Sequence, residues 1–217
     1  MAPGSRLLRI AALAGMIGPP LFGGMLILLT ALEYDFMRSL RWDPLNAPTT
    51  DWPSGLSLGP YGGWMIATFL LSGLLLLFFA LNLRLLFPGS PGPALLFISG
   101  LALMCLSSLT DPTYTGAPAV PTLHGEIHDA AYLLLGLSFL PGLAVLAVDF
   151  GRRPEWRLHA GITWLVLLLT LPSFAIKGIT FYIFLLGVMA WYELTALRIW
   201  QLVRDKEQSD PASRPAA

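Results

Sequence analysis

The sequence predicts an all-α polytopic membrane protein, a bundle of six transmembrane helices with both termini on the cytoplasmic side. Three observations lead there. Of the 217 residues, 55% are hydrophobic and only 12% are charged, whereas a soluble domain carries about 25% charged residues. The apolar residues gather into six long runs, and only helices or closed barrels satisfy their backbone inside a bilayer. The basic side chains are shared very unequally between alternate connections, which is how cytoplasmic segments are marked.

The first run covers residues 7 to 32, and its stretch 10–32 holds 23 residues without a charge. A signal peptide has an apolar core of about 7 to 15 residues, so this run is read as a retained span. The second covers residues 61 to 87 and the third residues 94 to 110. The fourth, 123 to 148, opens after Thr122, a candidate N-cap. The fifth covers 158 to 176 and the sixth 179 to 203. All six are continuous in Leu, Phe and Ile rather than alternating, which argues against barrel strands of about 10 residues.

The connection 33–60 is long and rich in Pro, Asp and Trp, 88–93 and 173–178 are tight, and 111–122 is intermediate. Residues 1–204 form one membrane domain, and the polar tail 205–217 is expected to be a disordered cytoplasmic segment. Ten basic residues, Arg6, Arg9, Arg84, Arg152, Arg153, Arg157, Arg198, Arg204, Lys206 and Arg214, fall on one side of the six spans. Three, Arg38, Arg41 and Lys177, fall on the other. That ratio puts the ten in the cytoplasm of a cell (inner) membrane protein and the first, third and fifth loops outside. Trp64, Trp156 and Trp200 lie near span ends, where they are read as interfacial anchors rather than ligands.

Several functions are disfavoured at this level. Basic and acidic residues balance at 13 each, so no overall field draws nucleic acid. No phosphate loop, dinucleotide fingerprint or G-x-S-x-G occurs, so nucleotide chemistry has no support. Cys105 is the single cysteine, which rules out an intrachain disulfide and a four-cysteine metal site. His159 opens the fifth span on the cytoplasmic side, most of a bilayer away from His124 and His128, so the three cannot share a haem or any one site.

The densest chemical signal is Asp111-Pro112-Thr113-Tyr114, a Gly/Pro turn, and then His124-Gly125-Glu126-Ile127-His128-Asp129. His124 and His128 stand four apart on a helix, one turn from each other on one face, a spacing used for metal capture. Tyr132 continues that face inward. Glu126 points about 200° away from His124, so this is not the H-E-x-x-H of zinc proteases. Asp111 is the candidate third ligand, giving a two-His, one-carboxylate site for a divalent metal such as zinc. An anion at the C-terminal end of a span is disfavoured by about 0.3 to 1 kcal/mol, so Asp111 calls for a partner.

Two other readings stay open: a metal-free polar site, and plain structure. Asp-Pro opens turns, acids in a first helical turn suit the dipole, and interfacial histidines can hold a loop. Ser107 and Ser108 are the only serines placed to meet the histidines as nucleophiles. Glu193 lies inside the sixth span and is expected to pair with Arg84 or His159, while Lys177 is placed to reach Asp111 or Glu33. Three runs followed by three more also suggest the inverted repeat of a transporter, with breaks at Gly18-Pro19-Pro20 and Pro141-Gly142. Neither break has an ionisable residue beside it.

The stretches Asp43-Pro44-Leu45 and Ser57-Leu58-Gly59-Pro60-Tyr61-Gly62, with Asp111 and His124-Gly125-x-x-His128, resemble the bacterial and archaeal membrane proteins grouped as domain of unknown function 998. The resemblance covers most of the chain and implies a six-helix bundle, with no activity or cofactor attached. Ile179-Thr180-Phe181 departs from the Glu-Arg pair that the family pattern has after Gly178. The leading expectation is an enzyme acting on a lipid or amphipathic substrate at the outer face of the bilayer, with His124, His128 and Asp111 binding a metal or performing acid–base chemistry. The alternatives are a non-enzymatic binding or transport protein and an accessory subunit of a membrane complex.

Overall fold

In the computed structural model the described residues are 3–40, 53–107, 122–175 and 179–209, and they form helices joined by short turns, with no strand among them. Seven α-helices follow in order: α1 (Pro3–Leu32), α2 (Tyr34–Ser39), α3 (Gly62–Leu86), α4 (Gly92–Leu106), α5 (Leu123–Gly151), α6 (Arg157–Ala175) and α7 (Ile179–Ser209). Short 3₁₀ turns at Pro53–Leu58 and Pro154–Trp156 precede α3 and α6. All but α2 correspond to the six apolar runs. Four of them, α1, α3, α5 and α7, contain stretches long and apolar enough to cross a bilayer, whereas α4 is apolar but has only 15 residues. At 1.5 Å per residue those 15 residues reach about 22 Å. Large apolar side chains such as Ile27, Leu137, Leu168 and Leu186 are exposed on the outside of the bundle, where lipid replaces water as their solvent. The protein is a multi-pass membrane protein.

The expected breaks are not breaks. α1 runs through Pro19 and Pro20, and α5 through Pro141, as one helix each. A proline removes one backbone bond and crowds the preceding turn. Packing on neighbouring helices carries the helix past it. For α1 that packing includes Gly15, where an added Cβ would strike Ala196 of α7 and Phe79 of α3.

The six longer helices form a closed ring, in which α1 packs on α3, α3 on α4, α4 on α5, α5 on α6, α6 on α7, and α7 returns to α1. Bare backbone sets two of these contacts. A Cβ on Gly73 would meet the Gly100 carbonyl oxygen at 2.7 Å and one on Gly100 the Gly73 oxygen at 3.0 Å, while Gly92 and Gly142 relate α4 and α5 reciprocally at 3.2 and 3.4 Å. Small residues permit such approach where no hydrophobic force drives helices together. The middle of the ring is filled by aromatics: Phe79 meets Tyr192 edge-on at 4.3 Å, and Phe139 reaches Trp191 at 6.5 Å.

Of the described arginines all but Arg38 gather at one end of the ring, called here the basic end. Arg9 of α1 pairs with Glu207 of α7 and lies over the Trp200 ring. Arg153 donates to the Leu86 carbonyl at the end of α3 (2.9 Å) and covers Phe87, and Arg198 donates to the Glu155 carbonyl (3.1 Å). Two expectations are corrected here. Trp156 is 1% exposed rather than an interfacial anchor, because the Pro154–Trp156 turn folds it inward onto Phe150 (4.9 Å, near-parallel) and Phe87 (5.4 Å). The tail does not begin at Asp205, since α7 continues to Ser209 and its Glu207 is tied back to α1. Trp64, by contrast, is exposed, as an anchor would be.

Candidate functional site

The end of the ring opposite the arginines holds both constellations of interest, over one apolar cluster that includes Leu29, Met37, Leu56, Met65, Leu106 and Ala131. α5 begins there with Thr122 as its N-cap, whose hydroxyl accepts from Gly125 N–H at 3.1 Å. That cap aligns the first turn, so His124 and Glu126 stand exposed and His128 turns into the bundle. His128 is buried, and its Nδ1 lies 3.2 Å from the Leu106 carbonyl oxygen at the end of α4. A carbonyl only accepts, so Nδ1 carries the proton and Nε2 is the basic nitrogen of the ring. The bond ties α5 to α4 and fixes the imidazole.

The expected histidine face is thus divided by burial. His124 is exposed, His128 buried and Tyr132 45% exposed. Asp111, Ser108 and Lys177 lie outside the described residues. Among the described residues no group of three or more His, Cys, Asp or Glu is placed to hold a metal ion. Ser107 is buried beside Leu106, and it is the Leu106 carbonyl that the His128 Nδ1 takes.

Glu193 does not make the pairing expected of it. Arg84 donates instead to the Ser90 carbonyl (2.9 Å), His159 Nε2 lies against the Leu194 carbonyl (3.2 Å), and Glu193 Oε2 is buried without a hydrogen-bond partner. Both candidates are drawn instead to main-chain carbonyls, that of Ser90 in the connection between α3 and α4 and that of Leu194 within α7.

The functional candidate that sequence reasoning passed over is Glu33. It follows α1 directly, is 2% exposed, and accepts the Tyr61 N–H on Oε1 at 2.7 Å. Its own N–H bonds Leu29 and its carbonyl accepts from Met37, so it joins α1 to α2. The stretch Ser57–Gly62 wraps its carboxyl. A Cβ on Gly59 would fall within that carboxyl, and one on Gly62 would strike the Ser57 carbonyl. Burial raises the Glu33 pKa above the ordinary 4.5, and the Tyr61 bond offsets only part of that. The signal was available: Glu33 is the first charge after 23 uncharged residues, and two glycines in a short polar turn mark a close backbone approach.

The family described as protein of unknown function (DUF998) matches residues 21–198. The chain belongs to this family. The region this DUF998 protein shares with it includes Glu33, the Ser57–Gly62 turn and His128, while the Arg9–Glu207 closure lies outside. No curated protein and no solved structure matches the chain.

Proposed function

We propose that all six longer helices cross the inner membrane with the basic end in the cytoplasm, and that the opposite, outer end is an acid–base site for a lipid or amphipathic substrate. His128 is the central group: with Nδ1 held by Leu106, its Nε2 is the atom that takes and returns a proton. Asp111 and His124 are assigned to the mouth of this site, one to polarise the imidazole or bind a substrate group and the other to meet the headgroup. The single observation that carries the reading is a buried, oriented histidine at the end of a membrane bundle, where a burial cost of this kind is kept for a purpose.

A second reading makes His128, His124 and Asp111 the ligands of a divalent metal such as zinc. The Nδ1 bond to a backbone carbonyl favours it, because metal-binding histidines are held in this way.

The test is to incubate the purified protein, in nanodiscs of bacterial lipid extract, and follow the lipids by mass spectrometry beside His128→Gln, with metal measured in the same preparations. A lipid product formed by the wild type and lost in the variant supports the acid–base site. Stoichiometric metal lost in His128→Gln and His124→Ala supports the metal reading. A wild type that turns over nothing and holds no metal, with His128→Gln unchanged in fold, refutes both and leaves binding or transport.

A further inference from the structure

We propose that Glu33 binds a single positive charge, a proton or a small monovalent metal ion, and that this cation keeps the Ser57–Gly62 turn closed over the end of α1. Three geometric facts converge on it. The carboxyl is almost wholly buried and receives one donor, the Tyr61 N–H, while Oε2 is buried with no hydrogen-bond partner. The Ser57 hydroxyl, in the turn that wraps it, is also buried without a partner. Gly59 lets the turn's backbone close on the carboxyl, and any side chain there would enter the carboxyl's own space.

A buried carboxylate with one hydrogen bond and no counter-charge is too costly to persist, so it either neutralises or acquires a cation. Few ionisable side chains stand on the elements around it. The 3₁₀ turn carries no ionisable side chain, α2 carries Asp35 and Arg38, α3 begins beside Tyr61, α5 presents His128 and Tyr132, and α7 presents Tyr182. Among the described residues none of these bonds or pairs with Glu33, whose carboxyl accepts from the Tyr61 backbone amide. Arg41 and Lys177 lie outside the described residues; among the described ones no cation meets the carboxyl, and the charge proposed for it is one taken from solution. A proton on Oε2 turns it into a donor for an oxygen of the turn, and a hard monovalent ion is bound by oxygens of the kind the carboxylate and hydroxyl supply. The upward direction of the Glu33 pKa agrees with this.

The site differs from the one proposed at His128, and nothing in it depends on chemistry there. The experiment follows the apparent Tm of the purified full chain at pH 5 and pH 8, in sodium chloride and in choline chloride of equal ionic strength. Wild type is compared with Glu33→Gln, which keeps the acceptor for Tyr61 but carries no charge. A carboxyl that holds its proton more firmly when folded contributes fully below its unfolded pKa and loses that contribution as pH rises. A proton site therefore shows as a wild-type Tm that falls from pH 5 to pH 8 by more than that of Glu33→Gln, whichever salt is present. A metal site shows as a fall at pH 8 that sodium restores in wild type, restores less in Ser57→Ala, and leaves untouched in Glu33→Gln. Equal pH and salt responses in wild type and Glu33→Gln overturn the proposal. Should Glu33→Gln fail to fold, a wild type that loses no stability from pH 5 to pH 8 and gains none from sodium overturns it unaided.

Discussion

Gly59→Ala puts the fit of the turn around Glu33 to a direct test. The added methyl would lie within the Glu33 carboxyl, with the Cδ and both oxygens all too near for any ordinary contact. The side chain must leave its place, which gives up the Tyr61 hydrogen bond, worth about 0.5 to 1.5 kcal/mol net, or about 1.5 to 3 if the carboxyl is ionised. Overpacking strain adds about 1 to 3 kcal/mol. Against this, replacing glycine restricts the unfolded chain and returns about 0.4 to 1 kcal/mol, with no backbone penalty because Gly59 does not sit at positive φ. The loss wins by about 2 to 3 kcal/mol, which for a chain of this size lowers Tm by about 4 to 12 °C. The assay is thermal unfolding in detergent, read by tryptophan fluorescence, in a cycle with Glu33→Ala. Once the carboxyl is gone the methyl has space, so Gly59→Ala should then cost under about 0.5 kcal/mol, a large coupling for one pair. A cost that is equal in both backgrounds, or absent in the wild type, refutes the claim that Gly59 is required by Glu33.

Three more predictions follow from the same contacts. Trp156→Ala removes a fully buried ring stacked on Phe150 and should cost about 3 to 5 kcal/mol, seen as a large drop in Tm, whereas Trp64→Ala, on an exposed ring, should change Tm little. Thr122→Ala removes the cap of α5 and should cost about 1 kcal/mol, with Thr122→Ser retaining most of the stability. In a Cys105→Ser background, a membrane-impermeant maleimide added to intact cells should label His124→Cys and spare Arg204→Cys; the reverse pattern would invert the proposed orientation.

What the sequence revealed and what it hid divide along a physical line. Apolar runs of the length a bilayer demands found the six longer helices to within a few residues, because burial in lipid is a property of each segment alone. Thr122 was equally legible, since a cap is set by residues adjacent in the chain. Trp156 was misread because a tryptophan near a span end is compatible both with the interface and with the core, and only the fold of the Pro154–Trp156 turn selects between them. The proline breaks failed for a similar reason: the local rule is outvoted by packing, from Ala196 and Phe79 on Gly15 of α1 and from Leu95 and Gly92 on Gly142 of α5. Glu33 and the glycines of the Ser57–Gly62 turn were each visible as local signals, but their pairing was not, because the Tyr61 amide lies 28 residues away in the chain.

The two ends of the ring also divide stability from chemistry. At the basic end, guanidinium groups cap open carbonyls and cover rings, and Phe87, Phe150 and Trp156 are packed face and edge. The guanidinium groups there have partners or solvent within reach, although His159, packed on Trp156, is also buried on one bond to a main-chain carbonyl, that of Leu194. At the opposite end two ionisable side chains, Glu33 and His128, are buried on one hydrogen bond apiece, both to the main chain. Neutral residues of similar shape would hold those positions at less cost, so stability alone gives no reason for a carboxyl and an imidazole there. Proteins keep such locally unfavourable groups where a site is to be served and compensate elsewhere. The closed ring provides that compensation, because the aromatic centre and the Gly73–Gly100 and Gly92–Gly142 contacts hold α3, α4 and α5 together in addition to the single His128 bond. Glu33→Gln and His128→Gln should therefore both leave a folded bundle, and what each variant then fails to do is what that residue is for.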